Sequence, residues 1–235
     1  MIDARSHLIV PLDVPDRTTA LALVERLSGH VGLFKVGLEL FTGEGPRLVE
    51  EIRGRGEKVF LDLKLHDIPN TVRSAVRSVC RLGIQMLTIH ASGGSDMMSA
   101  ASQEAASFAA PPLLLGVTAL TSLSEHEAKK IGIETSVEQW VEKLAHLAEE
   151  SGIRGLVASS KELPMLRAKF GNSMQFVIPG IRPAGAATQD QSRTATPAEA
   201  IGAGADYLVV GRPIIQAPDP AKAADAIVQE IGNAL

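Results

Sequence analysis

The chain has 235 residues, 45% hydrophobic and 21% charged, which is enough to bury a sizeable core. A net charge of -4 and an aromatic content of 3% disfavour nucleic-acid binding, which needs basic surfaces or stacking side chains. Cys80 is the single cysteine, which excludes an intramolecular disulfide. The sequence shows neither a signal peptide nor an apolar run of about 20 residues, so we expect a cytoplasmic protein without membrane association.

Eight short apolar segments, each bounded by turn-forming residues, predict β-strands. In chain order they are residues 8–12, 31–36, 58–63, 86–89, 113–117, 155–158, 175–178 and 207–210. Their apolar residues are continuous rather than alternating with polar ones. We therefore expect strands that are buried on both faces of a parallel sheet.

Segments with helical periodicity lie between these strands, most clearly at residues 18–27, 46–53, 137–150 and 219–235. Alternating strands and helices predict βαβ units, and eight of them favour a (β/α)8 TIM barrel of the α/β class. An open, doubly wound sheet is the alternative. No linker or low-complexity segment interrupts the pattern, so we expect one catalytic domain over residues 1–235. Reacting groups in such barrels lie at the carboxyl ends of the strands.

Charged residues follow the first three predicted strands, beginning with Asp13 and Lys35. Asp62 and Lys64 are two residues apart, a spacing that places both side chains on the same face of a regular strand. A charge facing the helix layer would be costly, so we expect both to point into the barrel mouth. Carboxylates at Asp62 and Asp67 would hold Lys64 as an ammonium, which suits proton donation to a carbanion rather than Schiff-base formation. A purely structural ion-pair cluster is the alternative.

A second candidate site follows the eighth predicted strand, where Gly211 and Arg212 begin a helix. Glycine lets backbone N–H groups approach an anion, and arginine can add a bidentate contact, so this position predicts a phosphate site. The polar segment 179–193 precedes it and is long for a loop inside a compact domain. We expect residues 185–192 to form a lid, with a loop of no function as the alternative.

The motif Asp62-x-Lys64-x-x-Asp67, followed by Ile68-Pro69-Asn70-Thr71, resembles the signature of the orotidine 5′-phosphate decarboxylases. The resemblance extends to residues 12–14, 34–37, 117–122, 179–182, 190–191 and 209–212, and so covers nearly the whole chain. It implies a TIM-barrel enzyme that converts orotidine 5′-monophosphate to uridine 5′-monophosphate and CO2, without a metal or other cofactor.

The resemblance also implies a role for each matching residue, with a catalytic group in which Lys35, Asp62, Lys64 and Asp67 form an alternating Lys-Asp-Lys-Asp chain. Lys64 would protonate C6 of the pyrimidine as CO2 leaves, and Asp62 would face the substrate carboxylate, by repelling it or by orienting Lys64. Asp67 and Thr71 would reach into the neighbouring subunit's site, which makes a homodimer with shared active sites. The remaining implied contacts are Asp13 and Lys35 to the ribose, Thr121 to the pyrimidine, and Arg182, Gln191, Gly211 and Arg212 to the phosphate.

Two other functions fit part of the pattern. A Mg-dependent sugar-phosphate decarboxylase or aldolase of the same superfamily would share the Asp-x-Lys-x-x-Asp block, but Lys35 and the Ile-Pro-Asn-Thr continuation disfavour it. A catalytically silent nucleotide-phosphate sensor would not need the complete set of charges. His90 ends the fourth predicted strand, where packing is favoured over lining the mouth, and His66 has no assigned role. The histidines show no zinc-ligand spacing.

Overall fold

The computed structural model describes residues 3–183 and 195–235, which form a closed barrel of eight parallel strands in chain order. The strands are β1 Leu8–Pro11, β2 Leu33–Gly37, β3 Val59–Leu65, β4 Met86–His90, β5 Leu113–Val117, β6 Gly155–Val157, β7 Gln175–Ile178 and β8 Tyr207–Val209. Because β8 pairs with β1, the sheet has no free edge. The predicted (β/α)8 barrel is therefore confirmed, and the open sheet is excluded.

Helices connect the strands on the outside of the barrel. They are α1 Arg17–Leu27, α2 Leu38–Glu44, α3 Pro46–Gly54, α4 Pro69–Cys80, α5 Ser95–Ala106, α6 Glu125–Lys130, α7 Val137–Glu150, α8 Leu163–Phe170, α9 Pro197–Gly202, α10 Arg212–Ile215 and α11 Pro220–Ala234. Short 3-10 turns cover Ala4–His7 and Ala91–Gly93. Within the two described ranges, no helix is long and apolar enough to cross a membrane.

Local sequence explains where the helices begin. The Ser136 side chain accepts a hydrogen bond from the Gln139 backbone N–H, and the Gln139 side chain accepts one from the Ser136 backbone, which is a capping box at the start of α7. Helix α4 begins at Pro69. Proline suits the first helical turn because that turn needs no N–H donor from it.

Two apolar layers make up the core. The barrel interior is filled by one side chain from each of six strands: Ile9, Leu33, Phe60, Met86, Leu115 and Val177. A larger layer between the sheet and the helices contains most of the other buried apolar residues. Cys80 belongs to this outer layer, and burial raises the pKa of its thiol to about 11. The barrel interior is thus filled with apolar side chains, and polar groups concentrate at its ends.

Candidate active site

A cavity of about 530 Å³ opens at the carboxyl ends of the strands. Residues from both sequence-predicted sites line it: Asp13, Lys35, Asp62, Lys64, Thr121, Arg182, Gly211 and Arg212. They come from six different strand ends or the segments that follow them. The barrel closure therefore brings together residues that lie up to 199 positions apart along the sequence.

Four charged side chains form a continuous chain of contacts along one wall of this cavity. The Lys35 Nζ lies 3.3 Å from Asp13 Oδ1 and 3.5 Å from Asp62 Oδ2. The Lys64 Nζ donates to Asp62 Oδ1 at 2.8 Å. Asp62 and Lys35 are mostly buried, with side chains 13% and 12% exposed, whereas Asp13 is 60% exposed. The two central groups of the order Asp13-Lys35-Asp62-Lys64 are thus the most buried, and the two outer ones are more exposed.

The electrostatics favour an ionised Asp62. Burial alone raises the pKa of a carboxyl group, but the ammonium groups of Lys35 and Lys64 and hydrogen bonds from Lys64 and Thr88 outweigh it. The net result is a pKa of Asp62 below its ordinary value. A carboxylate is therefore fixed beside the Lys64 amine at neutral pH.

The end of β3 is not a regular strand. Leu61 pairs with Leu87 and Leu65 pairs with Ile89, so three residues of β3 lie opposite one residue of β4. Within this bulge Lys64 has a φ of +50°, the one non-glycine residue with positive φ in the described ranges. The left-handed region costs an L-residue about 1–2 kcal/mol. The side chains of Asp62 and Lys64 both line the cavity, as expected. That expectation assumed that side chains alternate regularly between the two faces of β3, and the bulge interrupts this alternation at Lys64.

Asp67 and Thr71 lie outside this cavity in their own chain. Both are exposed, and the Asp67 carboxylate accepts a hydrogen bond from the Ile68 backbone N–H at 2.6 Å. The ion pair of Lys64 within the described part of its own chain is with Asp62, and the expected contact of Asp67 with a neighbouring subunit's site stays a prediction. Asp62 supplies one neighbour, and the turn before α4 carries Asp67 away because it lies beyond the strand.

The cavity wall at the ends of β7 and β8 carries the groups predicted to bind phosphate. Arg182 is 8% exposed, and its Nη1 donates to the Ile181 carbonyl at 2.8 Å. Gly211 precedes α10, and a Cβ added to it would lie 3.0 Å from Pro11 Cγ, so a side chain there would crowd β1. Arg212 begins α10 and also lines the cavity. Two guanidinium groups thus face the same space as the Lys-Asp chain.

Two expectations concern residues that the structure does not describe. Gln191 and the lid predicted at residues 185–192 fall between residues 183 and 195, outside the described ranges. Among the residues that are described, no group of three or more His, Cys, Asp or Glu side chains is arranged to hold a metal ion.

The rings of His66 and His90 contact each other beside the charged cluster, with their planes tilted by 38°. The ring centroids of His66 and His90 are 5.2 Å apart. Burial, His66 and Lys64 together lower the pKa of His90. His90 lines a neighbouring cavity with Thr118 and Trp140, so its side chain is directed toward the β4–β5 side of the mouth.

Thr88 contacts the site, and sequence reasoning missed it. It is fully buried in β4, and its hydroxyl lies within hydrogen-bonding distance of both Asp62 and Lys64. A threonine inside the otherwise apolar run Met86–Ile89 was an available signal, because a buried hydroxyl requires a partner.

Comparisons with known proteins place the chain among close relatives. Residues 6–227 match the model of the family described as Orotidine 5′-phosphate decarboxylase / HUMPS. Orotidine 5′-phosphate decarboxylase of Syntrophotalea carbinolica is 49% identical over 100% of this chain and 98% of its own length. The enzyme of that name from Moorella thermoacetica is 50% identical over 97% of this chain and 93% of its own. The crystal structure of the Lactobacillus acidophilus enzyme superposes with a TM-score of 0.87 at 36% identity, covering 95% of this chain and 98% of that one.

Proposed function

We propose that this chain, which belongs to the orotidine 5′-phosphate decarboxylase / HUMPS family, converts orotidine 5′-monophosphate to uridine 5′-monophosphate and CO2. The observation that carries the proposal is the unbroken contact chain from Asp13 through Lys35 and Asp62 to Lys64 on the cavity wall. The reaction breaks a carbon–carbon bond and leaves an electron pair on C6 of the pyrimidine. A fixed cation that can give up a proton is what such a carbanion requires.

Lys64 is the proposed proton donor. As CO2 leaves, the Lys64 ammonium stabilises the charge that develops on C6 and then transfers its proton to that carbon. Asp62 accepts a hydrogen bond from the same amine at 2.8 Å, which supports a role in orienting Lys64. Because these groups are held before the substrate arrives, little reorganisation is needed during the reaction.

The cavity wall at the ends of β7 and β8 is proposed to hold the phosphate. Arg182, Gly211 and Arg212 line it, and the combination of guanidinium groups and a glycine fits a phosphate dianion. Asp13 and Lys35 are proposed to contact the ribose, Thr121 the pyrimidine and Gln191 the phosphate. Binding energy from the phosphate can lower the barrier at the distant carbon if it closes the segment 185–192 over the substrate.

The activity can be tested directly by following the absorbance of orotidine 5′-phosphate with the purified protein, with and without EDTA. We expect decarboxylation at the same rate under both conditions. A folded protein that leaves the substrate unchanged would contradict the proposed activity. Activity that EDTA abolishes would instead favour the Mg-dependent sugar-phosphate class and its chemistry.

A homodimer with shared sites is a further part of the proposal. It is supported by the exposure of Asp67 and Thr71 and by that of Ile68, an apolar side chain that is 67% exposed between them. These residues lie on the turn between β3 and α4, beside the mouth. In a partner's site, Asp67 would provide the second carboxylate that Lys64 lacks within its own chain.

Mixing two inactive variants tests the shared site. Lys64→Ala and Asp67→Asn chains, unfolded and refolded together, would form hybrid dimers with one intact site each. At equal amounts we expect about a quarter of the wild-type activity, from statistical pairing of two-fold dimers. Activity no greater than the sum of the two separate variants, at every ratio, would count against sites built from two chains.

The single-domain organisation and a cytoplasmic location stay predictions.

A further inference from the structure

Thr88 occupies an unusual position opposite the bulge of β3. The register places it alone across from Asp62, Leu63 and Lys64, because Leu87 pairs with Leu61 and Ile89 with Leu65. Its exposed fraction is 0%. A buried hydroxyl at this point needs partners, and the widened strand supplies them.

The two hydrogen bonds of the Thr88 hydroxyl have defined directions. The Lys64 backbone N–H donates to Oγ1 at 2.8 Å, so the hydroxyl is the acceptor in that contact. The hydroxyl has one hydrogen, and an ionised carboxylate can only accept. That hydrogen is therefore directed at Asp62 Oδ1, which lies 2.9 Å away and also receives the Lys64 Nζ at 2.8 Å.

These contacts close a ring through the reacting lysine. One hydroxyl holds the main chain of Lys64, which is in the left-handed region, and also the carboxylate that holds its side chain. In a regular parallel strand, the backbone N–H would find a carbonyl of the neighbouring strand. Thr88 replaces that carbonyl with a group that also contacts the site.

We propose that Thr88 is a positioning residue, whose hydroxyl fixes Lys64 and Asp62 in their mutual orientation for the reaction. This inference rests on the proposed function of the site. It assigns Thr88 no contact with substrate. It predicts instead that loss of the hydroxyl reduces turnover rather than substrate binding, because the phosphate and ribose groups on other strand ends are unchanged.

Thr88→Val tests the proposal, since it keeps the shape of the side chain and removes the hydroxyl. We expect kcat to fall by about 10- to 100-fold, as for a displacement of a reacting group by about 1 Å. KM should stay within about two-fold of wild type, because uniform binding is not affected. Thr88→Ser retains the hydroxyl, and we expect it to restore most of kcat.

The matched control is Thr118→Val. Thr118 is likewise a buried threonine, next to the end of the adjacent strand, but its hydroxyl donates to the Val157 carbonyl at 3.5 Å rather than to a charged group. We expect this variant to keep the wild-type kcat. Equal losses in Thr88→Val and Thr118→Val would point to general loosening of the barrel and overturn the proposal.

A second readout does not depend on turnover. The charged or titratable groups that face Asp62 are Lys35 from β2, Lys64 from its own strand and His90 from β4, and all are retained in Thr88→Val. Since the Thr88 hydrogen bond favours the ionised form, its loss should raise the pKa of Asp62. Carbon-13 NMR of the aspartate carboxyl groups would measure this in the substrate-free protein, and the acid limb of the kcat/KM profile should move to higher pH in parallel.

The outcomes separate the two proposals. If the wild type is active but Thr88→Val keeps the wild-type kcat and the wild-type pKa of Asp62, the role of Thr88 is overturned and the proposed function stands. Thr88→Ser that is as impaired as Thr88→Val would do the same. If wild type itself does not decarboxylate, the proposed function fails, while the carboxyl titration still decides the role of Thr88. Should Thr88→Val not fold, Thr88→Cys replaces it, because a thiol is only a weak donor and acceptor.

Discussion

The two ends of this barrel carry charged clusters that are built in opposite ways. At the amino end, Arg167 on α8 pairs with Asp206, just before β8, at 2.6 Å. The guanidinium also donates to the Gly204 carbonyl at 2.6 and 3.0 Å and lies 4.4 Å over the Phe176 ring. Asp206 in turn accepts the Phe176 backbone N–H at 2.7 Å. Each charged group is thus satisfied by backbone and packing.

At the carboxyl end, the charged groups contact mainly one another and border an open cavity. Two ammonium groups share the single carboxylate of Asp62, and a cavity of about 530 Å³ lies beside them. The main chain of Lys64 has an unfavourable φ as well. The amino-end pair therefore contributes to stability, whereas the charges at the mouth are held beside an open cavity. Variants at the two ends should therefore separate activity from stability.

The largest effect is expected for Lys64→Ala. Removing the proposed proton donor and its positive charge should lower kcat/KM by more than about 10³-fold, while the thermal unfolding temperature stays near that of wild type. Absorbance assays and calorimetry measure the two quantities. Lys169→Ala, which removes a surface lysine paired with Glu142, is the control. Turnover near wild type in Lys64→Ala would remove the mouth cluster from the chemistry.

Arg212→Ala should have a smaller effect, and one of a different kind. A charge-assisted contact to phosphate is worth about 1.5–3 kcal/mol, so we expect KM to rise by about 10- to 100-fold. Steady-state kinetics with orotidine 5′-phosphate would measure it. Inorganic phosphite or phosphate as a competing ligand should lose affinity in parallel. An unchanged KM would exclude Arg212 from the phosphate site.

Arg167→Met should affect stability and leave catalysis alone. The variant keeps most of the apolar stem but leaves Asp206 and the Gly204 carbonyl without their main donor, which we expect to cost about 2 kcal/mol of unfolding free energy. Urea denaturation would measure the loss, and kcat should stay within about two-fold of wild type. A large fall in kcat in a folded Arg167→Met protein would break the division between the two ends.

Local information in the sequence was sufficient for the elements. The predicted strands at 113–117 and 175–178 and the predicted helix at 137–150 have the observed bounds, because apolar runs, helical periodicity and capping residues are properties of neighbouring positions. The charged residues at strand ends were recognisable for the same reason. Their type and position along each strand, together with the resemblance to a family, indicated the mouth and its chemistry.

The tertiary structure alone decided how those charges meet. Which side chain faces which depends on strand register, and register is set by hydrogen bonds between segments far apart in the chain. The bulge that gives Lys64 a positive φ, the place of Thr88 opposite it and the removal of Asp67 from its own chain's cavity all follow from the pairing of β3 with β4. Spacing within a single strand carries no information about its neighbour. The sequence could therefore mark Thr88 as a buried hydroxyl that needs a partner, but it could not show that Asp62 and Lys64 are its partners.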